Sequence, residues 1–440
     1  MHPFASYVLR SYYKATGWNE DNLFTNLTRS SDAILDFTVP KGLHLSISKS
    51  PNALFKTTYS MNAMPSLNGS VGYIFTSCDL NVKGSGDIRF KDMIERFRVY
   101  DHPRRPEGKE DEWLAGQRVD TRDYLLYGRY YLPTGRLDAL YSTRLTSTLQ
   151  AIVAAISTPP SATTRAQRSA DSSNVMLYLQ HDVGKWCSEY TWSAEDGMLG
   201  VKVLHNFGRL ASDSPASDDG DKGASVGVKR IDEEDAIEGG LKGRLSAGAE
   251  IYFSAKEKSA GVSTGIRFST LPDATPLSFQ LPASISSPIP GPSPKNLPSP
   301  PTTITALFNP MLGHLSGAYS ARISRDVALS SRFDFNVYSY ESEWTMGAEW
   351  WLRRPPLEPN DDDDNDNSLP ILPSEARPNV EPGQVQGVVK ARASTNNDVS
   401  IMWEGRVRNM LVSLGVVSDL SNRSKPIKAI GLELSYFASG

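Results

Sequence analysis

Apolar residues return at every second position through most of this chain, and that period constrains the fold more than any other feature. Leu245, Ala247, Ala249, Ile251 and Phe253 fall on one side of an extended segment, with Ser246, Gly248, Glu250 and Ser254 on the other. Val327, Leu329, Phe333, Phe335 and Val337 oppose Ser330, Arg332, Asp334 and Asn336. Trp344, Met346, Ala348, Trp350 and Leu352 oppose Thr345, Gly347, Glu349 and Arg353. A strand sends successive side chains to opposite faces, so each segment has one greasy neighbour and one polar one.

About twenty such segments can be counted. The first covers 33–39, where Ala33, Leu35, Phe37 and Val39 alternate with Ile34, Asp36 and Thr38. Pro40 to Gly42 then turns the chain into a second strand over 42–48. The others fall near 54–61, 67–76, 123–132, 134–145, 147–156, 175–182, 185–193, 197–206, 241–254, 259–269, 302–309, 313–323, 326–338, 342–352, 386–394, 398–406, 409–417 and 427–437. Before them, Phe4, Tyr7, Val8, Tyr12 and Ala15 recur at helical spacing. Residues 1–30 therefore read as an amphipathic N-terminal segment whose short helix docks on a core, and 31–440 as a single β domain.

Five long insertions separate the strands. Residues 77–122 carry ten basic and ten acidic side chains, with a short helical pattern through Phe90, Ile94 and Phe97. Residues 157–174 are rich in Ser, Thr and Ala, and 207–240 are acidic. Residues 270–301 hold ten of the 29 prolines and only two charged residues, and 353–385 contain the run Asp361 to Asp364. All five read as solvated loops.

Two architectures could use this many alternating strands. Soluble β sandwiches would bury the greasy faces between sheets, and a membrane barrel would turn them to lipid and the polar faces to its lumen. The mean hydropathy of -0.37 looks soluble, and no apolar run is long enough for a spanning helix. Neither excludes a barrel, whose strands need only alternate residues apolar. Tight turns such as 132–135, and Trp186, Trp192, Trp344 and Trp350 flanking apolar bands, favour the barrel.

Catalytic and metal chemistry find no foothold. Gly261 to Gly265 matches G-x-S-x-G, but period two runs through it, so Ser263 lies mid-strand rather than on a nucleophile elbow. Cys78 and Cys187 form no CxxC pair and read as reduced packing thiols. The Asp361 to Asp364 run lacks the glycine and terminal glutamate of a calcium loop. The net charge of -4 argues against nucleic acid as a partner. No catalytic residue, cofactor site or metal site is expected, and the chain does not read as an enzyme.

A bacterial barrel is exported with a signal peptide, and the N-terminal residues show neither the apolar core nor the cleavage site of one. A mitochondrial outer-membrane barrel arrives from the cytosol and carries its address in its last strand. The chain ends "KAIGLELSYFASG". Gly431, Leu434 and Tyr436 match three positions of that sorting signal, while Ala429 stands where a polar residue belongs. The segments "FASYVLRSYYKATGW" and "LDFTVPKGLHLSISKSPNALFKTTYSMNAMPSLNGSVGYIFTS", with the "LNGSVGYIF" strand and the final glycine-containing strand, resemble mitochondrial distribution and morphology protein 10, a fungal family.

The resemblance covers the length outside the loops. It implies a transmembrane barrel of about nineteen strands related to the voltage-dependent anion channel. That barrel is mostly antiparallel, with parallel first and last strands and a short N-terminal helix. It implies the mitochondrial outer membrane, and as partners the other subunits of the endoplasmic reticulum–mitochondria tether and of the sorting and assembly machinery, with membrane lipids. Tethering, phospholipid exchange and β-barrel insertion follow as expected roles. The alternative is a metabolite- or ion-conducting pore. Asp36, Glu250, Asp334, Glu349 and Glu433 offset Arg332 and Arg353 on the polar faces, which does not suit an anion-selective lumen.

Overall fold

A strand in lipid must satisfy its backbone within the sheet on both edges, which only a closed barrel allows. The computed structural model has that closed form. It describes residues 3–80, 82–100, 103–106, 113–114, 117–118, 122–159, 173–208, 243–270, 300–353, 385–421 and 426–439. The solvated loops expected at 207–240, 270–301 and 353–385, and most of 157–174, fall outside these residues except at their ends.

Nineteen strands form the wall. They are β1 (Gly42–Ser50), β2 (Phe55–Met64), β3 (Asn68–Thr76), β4 (Tyr124–Leu132), β5 (Leu137–Arg144) and β6 (Leu149–Ser157). Next come β7 (Asn174–Asp182), β8 (Trp186–Ser193), β9 (Met198–Asn206), β10 (Gly243–Ser254), β11 (Ser259–Thr270) and β12 (Thr302–Asn309). The last are β13 (His314–Arg322), β14 (Val327–Asn336), β15 (Ser342–Arg353), β16 (Val385–Ser394), β17 (Asp398–Val407), β18 (Met410–Asp419) and β19 (Ile427–Ser439). Each pairs antiparallel with the next. An odd number of alternating strands leaves the first and last pointing the same way. β1 and β19 accordingly close the sheet in parallel, from Gly42 opposite Gly431 to Ser50 opposite Ser439.

The wall is inverted relative to a soluble protein. Ile251, at 59%, and Trp350, at 56%, are among many large apolar side chains exposed on the outside, while Ser246, Ser254, Ser320 and Ser330 are buried inside. In water so continuous an apolar surface would drive aggregation; against hydrocarbon it is satisfied. Trp186, Trp192 and Trp344 are exposed as well, as interfacial girdle residues require. Among the described residues no helix is long and apolar enough to cross a membrane.

Nineteen of the twenty expected segments are wall strands. The exception is 33–39. Its first part is the helix α2 (Arg29–Leu35), and 37–41 is extended but unpaired. Ala33, Ile34 and Leu35 are all buried in the helix, and burial alternates only beyond it, with Phe37 buried between exposed Asp36 and Thr38. The N-terminal helix, α1 (Pro3–Thr16), buries Phe4, Val8 and Tyr12 as its spacing predicts, with Thr16 rather than Ala15 completing the buried face.

Connections after odd-numbered strands leave at one rim and those after even-numbered strands at the other. Four of the five long insertions follow odd strands: β3, β9, β11 and β15. The other rim has short turns, apart from the connection between β6 and β7.

Candidate functional site: the filled lumen and the closing seam

Two segments occupy the lumen. The first, residues 3–41, runs around the inner wall. Phe4, Val8 and Tyr12 of α1 form a core with Ile74, Leu125, Tyr127 and Phe437 from the wall. Farther along, the Asn22 amide donates to Asp182 Oδ1 at 2.7 Å and to the Gly184 carbonyl at 2.9 Å. Thr25 donates to Glu189 through its backbone N–H at 3.2 Å and its hydroxyl at 2.8 Å. α2 then packs on β13 to β16. Gly347 of β15 leaves the space it needs, since a Cβ there would come within 2.8 Å of Leu35 and 3.0 Å of Ile34.

The second segment, residues 78–80 and 82–100, also lies against the inner wall. Leu80, Val82, Ile88, Phe90, Met93, Phe97 and Tyr100 are all buried, and α3 (Phe90–Met93) sets Phe90 edge-on to Trp351 at 6.3 Å. The expectation that 77–122 is one solvated loop therefore fails for this stretch. Its charges pair with one another, as Arg89 does with Asp92, and with the N-terminal segment, while its apolar residues are buried and Asp79, Lys83, Asp87, Arg89 and Asp92 stay exposed. The Phe90, Ile94 and Phe97 pattern was the signal available in the sequence.

Basic residues of the wall hold both segments by their backbones. Lys390 Nζ donates to the carbonyls of Ala33 at 2.8 Å and Glu95 at 2.5 Å. Arg392 donates to Leu35 O at 2.8 Å, Arg322 to Phe97 O at 2.7 Å and Arg244 to Tyr100 O at 2.8 Å. Arg406 reaches the carbonyls of Gly86 and Ile88, and Arg144 that of Thr16. Several of these guanidinium groups also lie over an aromatic ring of the filling: Arg144 over Trp18, Arg322 over Phe97 and Arg392 over Phe37, with Arg267 over Tyr100 at 4.1 Å. A desolvated cation gains from both a carbonyl and a ring face. The positive charge of the inner wall is thus largely spent on the protein itself.

The two segments are joined by a charged knot. Arg29 lies 2.8 Å from Glu20, 3.3 Å from Asp21 and 3.1 Å from Glu95, and Arg98 lies 2.6 Å from Asp21. Burial raises the Asp21 carboxyl above its ordinary value despite the two arginines. Burial also works to raise Glu95, but the charges of Arg10 and Arg29 outweigh it and hold that carboxyl below the usual range.

The expected sorting residues stand on the seam but not on one face. Leu434 and Tyr436 point outward with Ile430 and Leu432, and Tyr436 is 40% exposed. Gly431 points inward and is buried, where a Cβ would collide with the Pro40 carbonyl. Beside them Ser435 and Ser46 share a hydrogen bond of 2.7 Å across the parallel pair. Cys78 and Cys187 form no disulfide, and Cys78 donates to Asp123 at 3.0 Å. Among the described residues no group of His, Cys, Asp and Glu is arranged to hold a metal ion.

Comparison with known proteins gives one family. The model for mitochondrial distribution and morphology protein 10 matches residues 1–383 and 372–438. A protein of that name from Laccaria bicolor is 75% identical over 443 residues, covering 100% of both chains. One from Postia placenta is 71% identical over 459 residues, again covering 100% of both. One from Cryptococcus neoformans is 41% identical over 520 residues and covers 99% of each. With full-length relatives at this identity, the chain belongs to the mitochondrial distribution and morphology protein 10 family.

Proposed function

We propose that this barrel is a scaffold of the mitochondrial outer membrane, shared between the endoplasmic reticulum–mitochondria tether and the sorting and assembly machinery. In the first setting it anchors a contact site linked to phospholipid exchange; in the second it takes part in β-barrel insertion and late assembly of the import complex. The observation that carries this reading is the filled lumen. A wall built to face lipid, around an interior occupied by its own residues 3–41 and 78–100, suits a protein that acts through its rims and outer surface. A metabolite or ion pore needs a continuous wet path with charge free to meet the permeant. Here six inner cations, Arg144, Arg244, Arg322, Lys390, Arg392 and Arg406, are bonded to backbone carbonyls of the filling.

Two measurements on intact mitochondria test the reading. Alkaline carbonate extraction should leave the protein in the membrane pellet. Cross-linking in isolated outer membranes should then join it to subunits of both assemblies. Recovery in the carbonate supernatant would remove the outer-membrane barrel. Cross-links confined to soluble metabolite carriers, or to none of the tether and insertion subunits, would remove the scaffold role.

A further inference from the structure

One basic residue of the inner wall differs from those that grip the backbone of the filling. Arg129, on β4, is only 7% exposed, yet its hydrogen bonds go to the wall rather than to the filling. Its Nε donates to Ser70 at 2.8 Å and an Nη to Ser60 at 2.5 Å, and the guanidinium lies over Tyr131 at 5.3 Å. Among the described residues no carboxylate is within ion-pair distance. Asp138, opposite Arg129 in the strand register, is engaged by Arg136 at 2.7 Å. A guanidinium this buried, held only by hydroxyls, is incompletely compensated.

Arg129 lines a cavity of about 600 Å³. Its wall includes Asn68, Leu132 and Thr134, at the ends of strands β3 and β4 on the short-turn rim, so the cavity opens there. Lys41 and His44 share the lining, as does Asn62. α1 begins at the same cavity with Pro3 and has no acidic residue in its first turn, which leaves the positive end of its dipole unopposed. The carboxylate in the lining, Glu433, faces His44 at 4.0 Å.

We infer that this cavity binds the phosphate group of a small polar phosphomonoester, with Arg129 as its principal contact and Lys41 as a second. Arginine presents paired donors that match phosphate oxygens, and the hydroxyls of Ser60 and Ser70 already fix its plane. The volume exceeds that of a lone phosphate and falls within the range of ordinary small-molecule sites. The lining is polar enough for a glycerol- or sugar-like body. The same phosphate could come from a soluble molecule or from a lipid headgroup entering at the rim.

The full-length protein in phosphatidylcholine nanodiscs, titrated with glycerol 3-phosphate at constant ionic strength, tests the site by phosphorus line broadening. Saturable binding is expected, at least ten-fold weaker in Arg129→Gln and unchanged in Lys256→Gln, a charge control on the turn after β10 at the same rim. Gel mobility of unheated samples reports whether each variant is folded. If Arg129→Gln does not fold, Lys41→Gln, whose side chain is exposed, takes its place with about three-fold weakening expected. Absence of saturable binding to the intact protein, or equal weakening by Lys256→Gln, overturns the site. Phosphatidic acid added to the nanodiscs then assigns the source: competition identifies a headgroup, and no competition a soluble ester.

Discussion

The carbonyl of Pro40 occupies the space beside Gly431 that any side chain would need. The N-terminal segment passes over β19 at this point, just before it enters the wall as β1. The glycine of the expected address therefore has a separate task in the finished barrel.

The two tasks separate in vitro. Gly431→Ala is expected to destabilise the barrel refolded into lipid vesicles, by the ~1–3 kcal/mol typical of overpacking at a site that cannot relax. Leu434→Ala and Tyr436→Ala, on the outer face, should refold with far smaller loss. In import assays with isolated mitochondria the outer pair should instead delay assembly. If all three behaved alike in vesicles, Gly431 would have no closing role; if none delayed import, the last strand would not be an address.

The filling is expected to seal the barrel. Planar bilayers with the intact protein should show no steady conductance. Lys390→Met removes the donor to two buried carbonyls, at about 1–3 kcal/mol for each left unpaired, and should produce flickering openings. Arg322→Met should do the same. A steadily conducting intact protein would show that the lumen segments leave an open path.

Acid should loosen the knot late. The folded-state value of Glu95 is below its unfolded value, so its contribution is fully present above the ordinary carboxylate range and is lost as pH falls through the lower folded value. Asp21, shifted upward by burial, works in the opposite sense and favours the folded state as it gains its proton. Conductance should therefore stay absent at pH 5 and appear only below about pH 4. Glu95→Gln should leak at neutral pH and lose the acid step. Onset near pH 6 would point to a histidine instead.

The lipid face can be tested at one position. Ile251→Arg is expected to cost about 2–4 kcal/mol if the side chain lies near the bilayer midplane, whereas Ile251→Leu should change stability by less than about 1.5 kcal/mol. Urea titration of the barrel in vesicles measures both. Equal effects would mean that the exposed apolar wall does not face hydrocarbon.

The wall was almost fully legible in the sequence, because each strand has two unlike neighbours and alternation records them. The interior was not. Inside a closed barrel a segment such as 78–100 meets several elements at once, so its buried residues, Phe97 and Tyr100 among them, need follow no single period, and its exposed charges, such as Asp87 and Arg89, read like those of a loop. Nor do the anchors leave a trace: Arg322 and Lys390 bind backbone carbonyls, which every residue has, so nothing in the sequence of the filling marks the residues they grip. The 33–39 stretch misled for a related reason. Ala33, Ile34 and Leu35 are all buried in α2, and burial alternates only from Asp36 to Thr38, where the chain lies unpaired against the wall. Gly431 was singled out by its place in a motif, while its contact with Pro40 joins residues from opposite ends of the chain.

The parallel seam also fixes what the chain can gain or lose. A hairpin can be added or deleted without disturbing the direction of β19. A single strand cannot, because the seam would become antiparallel and residue 439 would emerge on the opposite side of the membrane. Growth of this barrel by duplication is thus restricted to pairs of strands, and a reporter fused after the last strand will always share a compartment with the loops that follow β3, β9, β11 and β15.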